Sequence, residues 1–152
     1  VEEMGLSGTH FANPTGLHDP SNYTTPYEMA QILEYALENE VCREVLSAYK
    51  YVTSVTEQHP EGITLTSTVL SRMNGDEAEN VFVLGGKTGY TVEAKNCLAT
   101  FAVDMYEYES EAQCKQKEPR YILVTAYNGE KYGPVFDAIH SYKEYSEQGT
   151  LS

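Results

Sequence analysis

The stretch from Gly85 to Thr91 (GGKTGYT) combines groups that could bind an anion beside a strand. It follows the apolar run Val81 to Leu84 and should continue that strand to its end. Lys87 supplies a cation, Thr88 supplies a hydroxyl donor, and Gly89 has no side chain to keep a ligand from the backbone. A surface lysine and threonine beside a turn glycine would produce the same triplet, so the triplet alone leaves both interpretations open.

Other polar side chains form no comparable pattern. The four histidines are too scattered for a metal motif on one helix, and we interpret each as a surface or hydrogen-bonded residue. They are His10, His18, His59 and His140. Asp19 with Glu28, and Asp104 with Glu107, are better explained as parts of a solvated acidic surface than as catalytic pairs. We therefore predict neither a metal nor another cofactor.

The elements that must position the triplet begin with turns and two helices. Residues 5–21 are rich in Gly, Pro and Asn, which predicts ordered turns. Thr25 is suited to cap a helix over 26–39, with Glu28 completing a capping box. The apolar face of this helix comprises Met29, Ile32, Leu33, Ala36 and Leu37. A second helix is predicted over 40–47. The residues that it should bury are Val41, Val45 and Leu46.

The pattern then changes to that of strands. β-Branched, aromatic and alternating sequences predict strands at 49–56, 63–70, 81–91, 96–106 and 120–127. A turn is predicted at 74–76 and an exposed, irregular loop at 107–119. A closing helix at about 131–145 places apolar residues at helical spacing. These residues are Val135, Phe136, Ile139 and Tyr142. The pattern indicates an α+β fold with an antiparallel sheet, in one domain spanning 1–152.

Tyrosines concentrate near the C-terminal helix. Tyr132, Tyr142 and Tyr145 are interpreted as an amphipathic rim over the sheet, with each ring partly buried and each hydroxyl in water. An aromatic shelf that binds glycans is the alternative interpretation.

The composition excludes several classes of function. With 10 Lys+Arg against 23 Asp+Glu the formal net charge is −13, which argues against binding to nucleic-acid phosphates or to an anionic membrane surface. No apolar run approaches the about 20 residues of a membrane span, and the first residues do not resemble a signal peptide. The cysteines Cys42, Cys97 and Cys114 lack zinc-site spacing and are expected to be unpaired.

Two separated segments resemble the low-molecular-mass penicillin-binding proteins, the serine-type D-alanyl-D-alanine carboxypeptidases of bacterial cell-wall metabolism. Lys87 to Thr91, followed by Glu93-Ala94 and Cys97 to Ala99, resembles the family's third motif and its surroundings. The earlier segments are Thr9 to Phe11, Asn13 to His18, Tyr23 to Thr25 and Met29-Ala30. Because a later strand and the closing helix follow the family's order, the resemblance covers nearly all of the chain.

The resemblance implies roles for four consecutive residues. Lys87 and Thr88 would hold the terminal carboxylate of a peptidoglycan peptide that ends in D-Ala-D-Ala. Gly89 would let the strand approach the acylated serine, and the backbone N–H of Tyr90 would form half of the oxyanion hole. The complete protein would acylate its serine, release D-Ala and hydrolyse the acyl-enzyme, and β-lactams would trap the same serine.

The family's nucleophile has no convincing counterpart here. Its chemistry needs a serine with a lysine one helical turn later, and a Ser-x-Asn motif, which does not occur in this sequence. The one Ser-x-x-Lys, Ser47 to Lys50, lies at a predicted helix end, whereas a nucleophile that uses the helix dipole should open a helix. We therefore interpret Ser47 as structural. The expectation is that the chain is the C-terminal part of a catalytic domain, with the nucleophile upstream of Val1, and is inactive alone.

The resemblance also implies a five-stranded antiparallel sheet with helices on both faces, of which this chain would supply three strands. Without the others, we expect the chain either to pair with a second copy through the exposed sheet edge or to expose an apolar face. The complete protein would act outside the bacterial cytoplasmic membrane. Two alternatives are a non-catalytic peptidoglycan-binding or scaffolding module of the same ancestry, and an unrelated acidic interaction domain.

Overall fold

The structure, a computed structural model, describes residues 1–73, 78–106 and 109–148. Helices and strands follow the predicted order with one added short helix. They are α1 (Pro26–Leu37), α2 (Glu40–Ser47), β1 (Lys50–Val52), β2 (Thr64–Thr66), β3 (Val81–Thr91), β4 (Lys95–Asp104), α3 (Glu111–Cys114), β5 (Tyr121–Asn128) and α4 (Gly133–Gln148). The α+β class is confirmed. The turn predicted at 74–76 lies outside the described residues.

An antiparallel sheet in the order β3-β4-β5 forms the centre of the fold. Its first pair joins Val81 to Asp104 at one end and Thr91 to Lys95 at the other, with a bulge between Val83 and Gly85. Within the described residues, β3 and β5 pair with β4 alone, so each leaves an outer edge without a strand partner. β1 and β2 form a separate two-stranded hairpin.

Helices cover both faces of this sheet because its strands alternate apolar side chains between two cores. The core under α4 contains Val81, Val83, Leu98, Ala102, Val135, Ala138 and Tyr142, together with Val69 and Met73 from the turn after β2. The core under α1 contains Leu33, Leu37, Phe82, Leu84, Phe101, Val103 and Cys114, with Leu46 of α2 packed against it. The second half of β3 extends beyond both cores and is more exposed.

The start of α1 connects the turn-rich opening to the helix. The Thr25 side chain caps the helix by accepting the Glu28 N–H at 3.1 Å, as predicted. The second half of the predicted capping box, in which the Glu28 side chain would bond back to the N–H of Thr25, is wrong. The Glu28 carboxylate instead accepts the N–H of Gly8 at 2.9 Å and the hydroxyl of Thr9 at 2.5 Å. Thr9 is buried, and its hydroxyl makes a second hydrogen bond, at 2.7 Å, with the hydroxyl of Thr24.

Several predicted burials are wrong. In α2, Val41 and Val45 are 67% and 68% exposed, because the helix contacts the sheet core through Leu46 at its end. The hairpin is shorter than predicted, and its apolar residues are exposed, as they pack on neither core. The exposed apolar residues of the hairpin region are Tyr49, Tyr51, Val52, Val55, Ile63 and Leu65. The chain therefore exposes an apolar surface, which is one of the two outcomes expected for it. Pairing with a second copy stays a prediction.

The segment predicted as an exposed loop at 107–119 also differs. Its described part contains α3, which buries Cys114 completely, and this burial raises the pKa of the thiol. Lys117 donates to the Glu109 carboxylate at 2.5 Å and to the Asp104 carbonyl at 2.9 Å. The first of these bonds lowers the pKa of Glu109. These hydrogen bonds hold the segment against the end of β4. The three cysteines are free, as expected.

Within the closing helix α4, the side chain of Tyr142 is more buried than predicted. Tyr142 is 2% exposed, and its hydroxyl makes a 2.8 Å hydrogen bond with the hydroxyl of the fully buried Thr100. The predicted rim role is therefore wrong for Tyr142, whereas Tyr132 and Tyr145 are exposed. Phe136, predicted on the apolar face, is exposed because Val135, Ala138 and Tyr142 face the sheet instead. No helix in the described part of the chain is long and apolar enough to cross a membrane.

Candidate functional site

The predicted site residues lie together in the second half of β3, where the strand leaves the core. Residues 81–86 are buried, whereas Lys87, Gly89 and Tyr90 are exposed and Thr88 is half-buried. Because β3 pairs with β4 alone among the described strands, alternate backbone groups on its outer edge have no strand to bond to. An extended peptide could therefore align against this edge.

The three glycines of this strand have different surroundings. A methyl group on Gly86 would lie far inside van der Waals contact of the Ala99 carbonyl oxygen, and the residue has a φ of +154°. A methyl group on Gly85 would collide with the carbonyl oxygen of Leu46. A methyl group on Gly89 would meet no atom within 4 Å. Gly85 and Gly86 therefore allow the backbone of β3 to pack closely against α2 and β4, respectively. Gly89 leaves open space at the exposed end of the strand.

The polar groups of Lys87 and Thr88 are held close to the strand. Lys87 Nζ donates to the carbonyl oxygen of Thr88 at 2.5 Å. The hydroxyl of Thr88 lies 2.5 Å from that of Thr68, which comes from the turn after β2. That turn is anchored by Val69, which is fully buried. An anionic ligand at this end of the strand would find an ammonium and an oriented hydroxyl.

Thr68 is a site residue that the sequence analysis missed. It lies 20 positions before Thr88, and its spacing carries no known motif. Only the fold of the turn after β2 against β3 brings the two hydroxyls together. No pattern in the sequence distinguishes Thr68 from the neighbouring threonines Thr64 and Thr66.

Ser47 lies away from this end of the strand. It is the last residue of α2, as expected, and lines a groove with the buried start of β3, next to Phe82, Val83 and Leu84. The Lys87 to Tyr90 segment does not line that groove. The position agrees with a structural role for Ser47, because the residue ends a helix and its N–H lies away from the positive end of the dipole.

A small cleft of about 50 Å³ adjoins Thr88, Gly89 and Tyr90. Its wall also includes two cations, Arg72 and Lys131. Larger grooves of about 410 Å³ and 490 Å³ lie against α1 and at the start of β3, away from the triplet. In the described ranges, no three His, Cys, Asp or Glu side chains come close enough to hold a metal ion.

The amino-acid sequence of this chain is similar to sequences of known proteins. The family model described as D-alanyl-D-alanine carboxypeptidase matches residues 1–107. The chain is 32% identical over 102 residues to the D-alanyl-D-alanine carboxypeptidase DacF of Bacillus subtilis, covering 67% of this chain and 24% of that protein. It is 30% identical over 95 residues to a Streptomyces D-alanyl-D-alanine carboxypeptidase, covering 62% of this chain and 32% of that protein.

Solved structures share the fold. A Streptomyces DD-transpeptidase matches with a TM-score of 0.70 and 24% identity, over 95% of this chain and 50% of that one. A D-alanyl-D-alanine carboxypeptidase from Mycobacterium tuberculosis matches with a TM-score of 0.68 and 19% identity, over 99% of this chain and 50% of that one. The chain thus spans about half of the solved structures that it matches.

The family model matches more than half of the chain, and the fold places the Lys-Thr-Gly strand at the edge of its sheet. The chain belongs to the D-alanyl-D-alanine carboxypeptidase family. The resemblance inferred from the sequence is confirmed.

Proposed function

We propose that this chain supplies the substrate-binding strand of a serine-type D-Ala-D-Ala carboxypeptidase that acts on peptidoglycan stem peptides. Lys87 and Thr88 hold the terminal carboxylate of the peptide, and the backbone N–H of Tyr90 is one donor of the oxyanion hole. One observation carries the proposal: Lys87, Thr88, Gly89 and Tyr90 lie on an open strand edge, beyond the buried core.

The chemistry assigns this strand to binding and charge stabilisation. In the complete protein, a serine oxygen attacks the carbonyl carbon between the two D-Ala residues, and its proton passes to a lysine. The carbonyl oxygen gains negative charge, which the Tyr90 N–H stabilises by a hydrogen bond that strengthens in the transition state. The C–N bond then breaks, free D-Ala leaves with a proton, and water hydrolyses the acyl ester.

The serine, its lysine and the Ser-x-Asn motif are proposed to belong to a part of the protein outside these 152 residues. Two observations support this: Ser47 ends α2, and Ser-x-Asn does not occur in the sequence. We further propose that the complete protein acts outside the bacterial cytoplasmic membrane and that β-lactams acylate its serine. The same two observations favour one alternative, a non-catalytic peptidoglycan-binding module of the same ancestry.

A titration of the ¹⁵N-labelled chain with N-acetyl-D-Ala-D-Ala tests the binding role. We expect the backbone amide signals of Lys87 to Tyr90 to shift with the D,D acid, and not with its C-terminal amide or with N-acetyl-L-Ala-L-Ala. Lys87→Gln should weaken binding about tenfold, because it removes the cation that faces the carboxylate. Lys50→Gln, an exposed lysine on β1, is the matched control and should change nothing. Equal shifts with acid and amide would contradict the proposal.

Incubation with benzylpenicillin tests the missing nucleophile. Intact-mass spectrometry should show no covalent adduct on the 152-residue chain, because an acyl-enzyme needs a serine that is activated by a neighbouring base. A single stoichiometric adduct would show that a serine of this chain, such as Ser47, is the nucleophile. That result would overturn its assignment as a structural residue.

A further inference from the structure

The turn-rich start of the chain forms a closed loop over residues 10–23, which we term the opening loop. The backbones of His10 and Tyr23 pair at its base through hydrogen bonds of 2.9 Å and 3.0 Å, and the two rings stack with centroids 5.9 Å apart. The side-chain amides of Asn13 and Asn22 bond to backbone groups inside the loop. These bonds give the loop a defined shape, although most of its residues are exposed.

A histidine of the opening loop contacts the turn that joins β3 to β4. Nδ1 of His18 lies 3.6 Å from Oε2 of Glu93, and the two side chains are 47% and 51% exposed. Glu93 is three positions after Tyr90. The turn itself is shaped by the Thr91 hydroxyl, which accepts the N–H of Ala94 at 3.0 Å. The contact therefore connects a distant part of the chain to the end of the candidate site.

The charge on one side of this contact changes with pH. A histidine gains its positive charge between about pH 8 and pH 5, whereas a glutamate is largely ionised over this range. The contact of His18 with Glu93 is thus an ion pair in mild acid and loses that attraction in mild alkali. Within the described ranges, Glu93 is the one carboxylate in ion-pair contact with His18.

The remaining charged groups of the two segments do not reproduce this arrangement. The other charged or titratable side chains of the opening loop and the turn are His10, Asp19, Tyr23 and Lys95. Among them, His10 alone titrates between pH 5 and pH 8. Its Nδ1 faces the carbonyl oxygen of Ser21 at 2.7 Å rather than a carboxylate. A pH effect on the turn is therefore expected to come from His18.

We propose that His18 and Glu93 position the end of the substrate-binding strand, so that protonation of His18 tightens peptide binding at Lys87 to Tyr90. This inference rests on the proposed function. It makes the two side chains positioning residues, which act through the turn that follows Tyr90. A strand end that is already held loses less conformational freedom when a peptide binds. Because an exposed ion pair contributes little, the expected gain in affinity is about threefold.

The affinity for N-acetyl-D-Ala-D-Ala, measured at pH 5.5 and pH 8 from amide shifts of the ¹⁵N-labelled chain, tests the proposal. We expect binding to be about threefold tighter at pH 5.5, where the ligand carboxylate is still ionised. His18→Gln should bind at the pH 8 level at both values. His18→Lys should bind at the pH 5.5 level at both values, because lysine keeps its charge. His59→Gln, an exposed histidine between β1 and β2, is the matched control and should keep the full pH dependence.

A further pair of variants separates the local contact from the net charge of the chain. Glu93→Gln should remove the pH dependence, because it leaves His18 without its partner. His18→Lys combined with Glu93→Gln has a more positive net charge but lacks the ion pair, so it should bind at the pH 8 level. Tighter binding by this double variant would show a general effect of charge and overturn the proposal. The thermal midpoint of each variant shows that it is folded.

The outcomes also separate this inference from the proposed function. Equal affinities at both pH values, with shifts at Lys87 to Tyr90, would overturn the positioning role and leave the proposed function standing. A pH dependence that persists in His18→Gln would overturn it as well. If the peptide shifts no signal of Lys87 to Tyr90 at either pH, the proposed function fails for this chain, and the inference fails with it.

Discussion

Replacement of Gly86 by alanine should destabilise the folded chain by about 4 kcal/mol. The added methyl group would enter the contact between β3 and β4, where the Ala99 carbonyl oxygen and, at 2.9 Å, the Cα of Thr100 already lie. These are backbone atoms, so they can give way only if the strands separate. The φ of +154° adds strain for any residue with a side chain. Urea unfolding followed by circular dichroism measures the loss.

Gly89→Ala is the matched control on the same strand. Its methyl group would meet no atom within 4 Å, so the free energy of unfolding should change by less than about 0.5 kcal/mol. The same methyl group should weaken binding of N-acetyl-D-Ala-D-Ala, because it occupies the space through which a peptide approaches the strand. A Gly86→Ala protein as stable as the Gly89→Ala protein would contradict the role of Gly86 in the close packing of β3 against β4.

Tyr142→Phe should cost about 1–3 kcal/mol, because it leaves the hydroxyl of Thr100 buried without a partner. The two hydroxyls lie 2.8 Å apart, and Thr100 is 0% exposed. Thr100→Val should cost a similar amount by isolating the Tyr142 hydroxyl. The double variant removes both groups and should be nearly as stable as the unmodified chain. Additive losses in this double-mutant cycle would show that the hydroxyls do not depend on each other.

The same tyrosine should make stability fall in alkali. Burial raises the pKa of Tyr142 above its ordinary value of 10.0, and burial together with the Asp104 hydrogen bond raises that of Tyr121. A raised pKa means that the stabilisation is complete below pH 10 and is lost as pH rises further, since the unfolded chain then gives up the proton more readily. Above pH 10, the free energy of unfolding should therefore fall less steeply in Tyr142→Phe, by about 1.4 kcal/mol per pH unit. An unchanged slope in urea unfolding would contradict this assignment.

Much of the fold could be read from local patterns. The bounds of α2 agree with prediction to the residue, and α1, β3, β4, β5 and α4 lie within a few residues of theirs. These elements carry strong local signals: a capping threonine at position 25, apolar residues at helical spacing, and β-branched runs. The Lys-Thr-Gly triplet and its flanking residues likewise identified the family, because the motif is contiguous and needs no tertiary contact to be recognised.

The tertiary structure decided which side chains are buried and which distant residues meet. Val41, Val45 and Phe136 belong to amphipathic patterns, yet they are exposed because their helices contact the sheet through other residues. The distinct roles of Gly86 and Gly89 follow from the register of β3 against β4.

By itself, the sequence determined the family, the order of the elements and the position of the Lys-Thr-Gly strand, since each depends on neighbouring residues. Only the tertiary structure brought Thr68 to Thr88, and Arg72 and Lys131 to one cleft. The physical reason is that these contacts depend on how a turn and a helix pack against the sheet. That packing is set by buried residues such as Val69 and Val135, at a distance along the chain from the polar groups that it brings together.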